Sequence, residues 1–511
     1  MSGEPIRKVI IVGGGTAGWM AAAGLSKVLG GFPGLSFTLV ESEAIGTVGV
    51  GEATIPQIQA FNAMLELDEA EFVRETRATY KLGIEFVDWL RKGHSYVHPF
   101  GTYGVDMLGI EFHHFWLRGH DLGDDTKLDA YSIAAMAGKA GKYMPPDRSN
   151  PNSPLSKLGY AFQFDAGRYA RYLRARAEQQ GVERVEGRVV EVCQDGASGL
   201  VTGVRLENGE VVEGELFIDC SGFRSLLLGQ TLGVGFTDWS KWLPCDRAVA
   251  IPCELGGEKV PLTRSTARPA GWQWRIPLQH RIGNGHVYSS AHMDDTMAEE
   301  LLLANLDGKP LAEPNRLRFA AGHRQRAWEK NVVALGLAGG FLEPLESTAI
   351  HLVQAGIARL LTFWPTTAFG RKEIDRFNRE SEQDYIDIRD FLVLHYKASE
   401  RDDSEFWRYC RALDPPEGLA EKLEMFESSG RVIRDHNELF TETSWLSVMA
   451  GQGIKPGGYH PAALLLDDAE TRRRLIHIRD VVASAVSQMP TQDDFLSRSG
   501  GAIDRQERLR A

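Results

Sequence analysis

A run of glycines set between two apolar stretches constrains this chain more than any other feature. Residues 8–12, Lys-Val-Ile-Ile-Val, read as a short buried strand; Gly13-Gly-Gly15-Thr-Ala-Gly18 follows at once, and residues 19–29 continue as a helix. An uninterrupted apolar strand belongs to a parallel sheet covered on both faces. A second strand, residues 36–40, ends in Glu41, 23 residues beyond Gly18. That is close to the ~20-residue spacing at which an acid accepts hydrogen bonds from a ribose in a dinucleotide-binding βαβ unit. Gly13 permits the tight turn, Gly15 lets backbone approach a pyrophosphate, and Gly18 lets helix and strand pack. Alone, the glycine pattern is a common turn; the strand, the helix and the acid make it a phosphate-binding fingerprint.

Composition narrows what surrounds this unit. At 511 residues the chain exceeds a single core, so two or three packed units are expected. A net charge of −12 argues against sequence-independent nucleic-acid binding and against an anionic membrane surface. No apolar run approaches the ~18 residues of a membrane span, and residues 9–12 are too short for a signal-peptide core. The expected compartment is the cytoplasm. Cys193, Cys220, Cys245, Cys253 and Cys410 are scattered without a Cys-x-x-Cys pair, so they read as buried thiols, and no metal site is expected.

Further along, Gly46-Thr-Val-Gly49-Val-Gly51-Glu52-Ala53-Thr-Ile-Pro56 packs three glycines into six residues, which suggests backbone pressed against a ligand. Residues 57–89 read as helical, with Lys81 among apolar neighbours; by periodicity alone such a lysine snorkels to solvent. Residues 91–154 are irregular and rich in glycine, histidine and aromatics, as loops over a binding site are. His113 and His114 lack metal-ligand spacing and read as structural. A strand at 160–165 and a helix at 166–180 precede short strands over 186–206. The strand 215–218 then runs into Asp219-Cys-Ser-Gly222, a return to the nucleotide-binding module. Residues 236–327 read mostly as sheet; Trp272-Gln-Trp274-Arg-Ile-Pro277 alternates with period two, and Pro277 marks an edge or strand end. Residues 331–336 form another strand, leading into Gly336-Leu-Ala-Gly339-Gly340-Phe-Leu-Glu-Pro-Leu-Glu346-Ser347-Thr348-Ala349. There the Ser-Thr pair can cap a helix whose start is a seat for a small anion. Beyond residue 365 charged amphipathic helices dominate, and the polar tail after about residue 497 reads as disordered.

In this order the motifs resemble the flavin-dependent tryptophan halogenase family over nearly the whole chain, to about Pro461. The resemblance is carried by the glycine fingerprint, by 49–56, by Tyr80-Lys81-Leu-Gly-Ile, by Asp219-Cys-Ser-Gly-Phe-Arg-Ser, by Trp272-x-Trp274-x-Ile-Pro277, by Asn284-Gly-His-Val-Tyr-Ser-Ser290 and by Gly339 to Thr348. It implies an α/β (α+β) fold: a Rossmann-like FAD-binding module of the aromatic monooxygenase type over residues 1–365, interrupted by substrate-side insertions at 91–154 and 236–330, and a mostly helical substrate-binding part at 366–511. It implies FAD delivered as FADH2 by a separate NAD(P)H-dependent flavin reductase, with O2 and chloride or bromide as co-substrates. Hypohalous acid formed at the flavin passes to Lys81, and Glu346 polarises the oxidant or removes the ring proton.

The resemblance also distributes the remaining sites. Gly13, Gly15, Thr16, Ala17, Gly18, Glu41, Gly49, Gly51, Glu52, Ala53, Gly336, Gly339 and Gly340 would contact FAD, and Ser347, Thr348 and Ala349 the halide. His98, Phe100, Trp445 and Pro56 would contact substrate, while Trp272 and Trp274 would keep it from the flavin. Members acting on free tryptophan grip its amino-acid end with C-terminal tyrosines and a glutamate; the matching residues here, 440–453, hold no tyrosine pair. The expected substrate is therefore an indole or other electron-rich aromatic without that handle, or a larger one. Ala349 stands where some members have glycine, and chloride against bromide stays open, as does a monomer against a homodimer. The competing readings are a flavin-dependent aromatic hydroxylase and a non-catalytic flavin-binding sensor.

Overall fold

The computed structural model describes residues 3–45, 51–256, 259–435 and 437–503. The chain forms two compact units, each assembled from three segments: Met1–Arg77, Phe164–Ser240 and Phe319–Ile386 in the first; Ala78–Gln163, Lys241–Arg318 and Asp387–Ala511 in the second. This division differs from the expected break at 365/366. Residues 371–386 of the long helix Arg371–Lys397 bind into the first unit, where Phe377 meets Trp328 edge-on at 5.3 Å and Asp384 accepts from Arg359 at 2.7 Å.

In the first unit a six-stranded sheet runs Trp328–Glu329, Val332–Ala334, Leu216–Asp219, Lys8–Val12, Ser36–Glu41, Glu183–Glu186. All neighbours are parallel except the first pair. Lys8–Val12 is central, and Val9 to Val12 are all buried, as an apolar strand covered on both faces requires. Ile10 and Val12 join Val201, Val204 and Leu206 of a three-stranded antiparallel sheet in one core. Alternation turns Val9 and Ile11 to the other face. Helices Thr16–Leu29 and Ala349–Thr362 pack at Gly24, where a Cβ would lie 3.3 Å from Ile357.

The second unit is built on a seven-stranded sheet: Asn315–Arg318, Arg247–Cys253, Ile282–Tyr288, Gly271–Pro277, Thr263–Arg268, Gly83–Val87, Ser95–Pro99. Every residue of Gly271–Pro277 is buried. The polar positions of its period-two pattern are covered as well, with Arg275 paired to Asp307 and Gln273 accepting from Arg268. Pro277 ends the strand, and the strand itself is interior. Helices Glu405–Ala412, Glu417–Ser429, Glu442–Gly451, Asp468–Gln488 and Gln492–Ser499 complete the unit.

Two further expectations fail locally. Residues 57–89 form helices Ile58–Met64 and Glu69–Glu75 and then strands Thr79–Lys81 and Gly83–Val87. Arg77, at φ 56°, ends the second helix, and the aromatic and β-branched residues beyond it take long-range strand partners. Residues 497–503 of the tail are packed in place: Gln279 donates to the carbonyl of Gly501 and accepts from the amide of Ile503, both at 2.9 Å. Of the five thiols four are buried and Cys193 is half-buried.

Candidate active site

The first unit gathers its candidate residues at the carboxyl ends of the parallel strands. Gly13, at φ 117°, turns the chain so closely past Cys220 that a side chain there would collide with its carbonyl oxygen. A Cβ at Gly18 would strike the carbonyl of Gly13, whereas one at Gly15 would meet nothing within 4 Å. Two glycines thus serve packing, and the third faces open space at the N-cap of helix Thr16–Leu29, which has no side-chain cap. Its free N–H groups carry partial positive charge toward that space. Gly336, at φ 66°, brings its loop against the same helix start: a Cβ there would lie 2.8 Å from that of Ala17. Gly339 accepts from the amide of Arg324 at 2.7 Å, and Gly340 pairs with His323. Thr16 and Ala17 open the helix, so fingerprint and second glycine loop form one cradle.

Glu41 ends its strand over Gly14. Its carboxylate accepts from the Trp19 indole at 3.3 Å and from Arg184 at 2.5 Å, with Arg174 at 3.6 Å. Asp219 is fully buried and accepts from Ser221, Leu227 and Leu228, so this acid shapes its own turn. Gly51–Ala53 is a short strand, and burial pushes the Glu52 carboxyl up to about 7. Pro56 starts the turn into helix Ile58–Met64. Gly49 lies outside the described residues.

Glu346 closes a single turn, Pro344–Glu346, and is fully buried; Ser347 follows at φ 60°, a left-handed conformation that costs a non-glycine residue about 1–3 kcal/mol. Thr348 is the N-cap of Ala349–Thr362, yet its hydroxyl does not cap the helix as expected. The physical reason lies in the backbone of Thr348, which is α-helical (φ −90°, ψ −10°) and lacks the extended geometry that lets a cap oxygen reach back. The Thr348 hydroxyl is consequently not spent on the helix start. Glu343, three residues before Glu346, is equally buried and was not singled out from sequence; the Glu-Pro-Leu-Glu spacing was its only signal.

In the second unit Lys81 ends strand Thr79–Lys81 opposite Ala161 and has no exposed surface. It does not snorkel; its Nζ stands 5.2 Å from the ring centroid of Phe100. Its neighbour Tyr80 stacks on Tyr143 at 3.8 Å. His98 lies 6.5 Å from Phe100 and 5.7 Å from Phe391. Phe391 stacks on Phe440 at 3.8 Å and meets Trp445 edge-on at 5.0 Å. Phe391 and Phe440 were not anticipated, because their place beside His98 depends on distant segments meeting. Trp272 and Trp274 lie 6.1 Å apart, and the Trp274 ring covers Gly285 so closely that a side chain there would collide with it. Histidines 113 and 114 are structural: His113 Nε2 bonds the carbonyl of Gly430 at 2.8 Å, and His114 Nδ1 accepts from the amide of His460.

Lys81, His98, Phe100, Trp272, Trp274 and Trp445 thus belong to the second unit, and the FAD candidates with Pro56, Glu346, Ser347, Thr348 and Ala349 to the first. Comparison with known proteins gives consistent matches. A family model described as tryptophan halogenase matches residues 8–468. The 7-chloro-L-tryptophan 6-halogenase KtzR of Kutzneria sp. (strain 744) is 34% identical over 520 residues, covering 96% of this chain and 99% of its own length. Among solved structures, Xcc4156, a flavin-dependent halogenase from Xanthomonas campestris, superposes with a TM-score of 0.93 at 48% identity, over 97% of this chain and 99% of that one. BrvH, a flavin-dependent halogenase from Brevundimonas sp. BAL3, gives 0.93 at 45% identity over the same shares.

Proposed function

We propose, on the premise that this chain belongs to the tryptophan halogenase family, that it is a flavin-dependent halogenase acting on an indole or another electron-rich aromatic. The observation that carries the chemistry is the amine of Lys81, wholly buried above a phenyl ring. An amine so placed holds an electrophilic halogen beside an aromatic ring and out of water, where it would otherwise be lost.

The cradle of the first unit fits FAD. Gly13, Gly15, Thr16, Ala17 and Gly18 would hold the pyrophosphate in the open space at the uncapped helix start, and Glu41 the ribose. Gly51, Glu52, Ala53, Gly336, Gly339 and Gly340 would line the rest. When bound in reduced form, FAD supplies with O2 the two-electron oxidation that turns halide into hypohalous acid. A separate NAD(P)H-dependent reductase supplies the reduced flavin.

Ser347, Thr348 and Ala349 would seat the halide at a helix start that the Thr348 hydroxyl does not cap, where an anion is favoured. Lys81 Nζ takes the oxidised halogen by hydrogen bond or as the haloamine. The ring carbon then exchanges its bond to hydrogen for one to halogen; the proton passes to the Glu346 carboxylate, and the oxygen of the hypohalous acid leaves as water. Trp272 and Trp274 screen the substrate from the flavin. His98, Phe100, Trp445 and Pro56 would contact the substrate. The missing tyrosine pair supports a substrate without an amino-acid handle, or a larger one.

The test is incubation with FAD, a flavin reductase, NADH, bromide or chloride, and a panel of indoles and phenols, read by halogen isotope patterns in mass spectrometry. Halide-dependent product is expected; hydroxylated product without halide would establish the hydroxylase instead. Lys81→Ala is expected to abolish aryl halogenation while reduced flavin is still oxidised, and surviving halogenation would remove Lys81 from the mechanism.

A further inference from the structure

The second unit also holds a buried ion pair that the chemistry above leaves unused. Lys422, on helix Glu417–Ser429, places Nζ 2.7 Å from Oε1 of Glu438, and the two residues are 8% and 5% exposed. The other carboxylate oxygen, Oε2, accepts the indole N–H of Trp445 at 3.1 Å, and the Lys422 ammonium stands 5.2 Å from the centroid of the same indole. Asp435, on the solvent side, reaches Lys422 at 3.4 Å. Trp445 abuts Phe391, which stacks on Phe440; both rings approach His98, at 5.7 and 6.4 Å. His98 adjoins Phe100, the ring nearest the Lys81 amine.

Two charges taken out of water are a weak source of stability, since apolar groups of the same shape pack as well without the desolvation cost. Burial pushes the Glu438 carboxyl up, and Lys422 works against that rise. What the pair does supply is direction. One carboxylate oxygen is held by the ammonium and the other by the indole, so Trp445 is pinned in one orientation and Phe391 rests against a fixed edge.

We propose that Glu438 is a positioning residue for the aromatic substrate. By fixing Trp445 it fixes the Phe391, Phe440 and His98 layer, which offers ring faces to a flat aromatic and no carboxylate–ammonium partner of its own. The layer therefore selects a flat aromatic such as indole over a free amino acid. This rests on the halogenase reading for the identity of the ligand, so binding is measured apart from turnover.

The experiment titrates FAD-loaded protein with indole and with L-tryptophan by calorimetry, then assays halogenation. Wild type is expected to bind indole more tightly than L-tryptophan. Glu438→Gln, which strands the ammonium, is expected to raise the indole Kd about tenfold. Adding Lys422→Met should return it to within about twofold, because the amide oxygen still accepts the indole N–H and no lone charge remains buried. Glu438→Leu with Lys422→Met removes charge and acceptor together and should keep the Kd high. Equal binding by those two double variants, or a wild-type preference for L-tryptophan, overturns the proposal. Should the leucine variant fail to fold, Trp445→Phe added to Glu438→Gln/Lys422→Met replaces it: phenylalanine has no N–H for the acceptor, so a Kd raised again about tenfold is expected, and an unchanged Kd overturns the proposal. Indole binding with these variant effects but no halogenated product would sustain the positioning role and overturn the halogenase reading.

Discussion

Gly15 and Gly18 stand three residues apart in one turn and answer to different demands. Gly18 is held by the carbonyl of Gly13, so Gly18→Ala is expected to destabilise the ligand-free protein by about 2–3 kcal/mol, as overpacking against backbone does. Gly15 faces empty space at an ordinary φ of −73°, so Gly15→Ala is expected to shift ligand-free stability by no more than about 0.5 kcal/mol. It should nevertheless weaken FAD binding at least ~10-fold, about 1.4 kcal/mol, because the added methyl occupies the approach of the pyrophosphate. Urea titration and FAD titration of the two variants separate the roles. At Glu52 the prediction concerns pH. Its carboxyl, raised from 4.5 to about 7 by burial, keeps a proton in the folded chain that the unfolded chain releases. The stability it contributes is therefore complete below about 4.5 and lost as pH rises through about 7. Glu52→Gln should raise the melting temperature of the ligand-free protein more at pH 8 than at pH 5; an equal rise would contradict the assignment.

Among elements, the end of strand Leu216–Asp219 shows how a sequence signal can be real and its meaning local. Asp219 belongs to a motif that carried the family resemblance, yet its oxygens are taken by the amide and hydroxyl of Ser221 at 3.0 and 2.6 Å and by the amides of Leu227 and Leu228 at 2.9 Å. Asp219→Asn turns an amide N–H2 toward backbone donors, and a loss of about 2–4 kcal/mol is expected by chemical denaturation. The turn it shapes carries Cys220, whose carbonyl bounds Gly13, so FAD affinity should fall with it. The helix at Ala349 makes a complementary point. Ser and Thr before a helix announce a cap, but only the backbone angles of Thr348 show that its hydroxyl is not spent on it.

At the scale of the whole molecule, FAD binding is expected to act through the first unit. A ligand at about 100 times its Kd stabilises by roughly 2.7 kcal/mol, so saturating FAD should raise the melting temperature. Amide hydrogen exchange should slow chiefly at residues 13–19 and 335–341, with strands Gly271–Pro277 and Ile282–Tyr288 little changed. Protection spread evenly over both units would contradict a cradle confined to the first.

The sequence by itself determined the strand–glycine–helix unit, the acid that ends the next strand at Glu41 and the second glycine loop, because each is a local pattern whose spacing is set by backbone geometry; Lys81 and Glu346 stood out only through the resemblance to a family. Tertiary structure decided what those patterns face. Lys81 passed for a helical, solvent-seeking lysine until strand Thr79–Lys81 paired with residues 161–163 and buried it against Phe100. The Trp272–Trp274 strand read as an edge or a strand end at Pro277; its place between two strands, with every residue buried, came only from the sheet. The aromatic layer of His98, Phe391, Phe440 and Trp445, with Glu438 and Lys422 behind it, was illegible, since residues some 340 positions apart share no periodicity that could announce their contact. Short-range sterics are written into neighbouring residues; burial and long-range partners exist only once the chain has closed on itself.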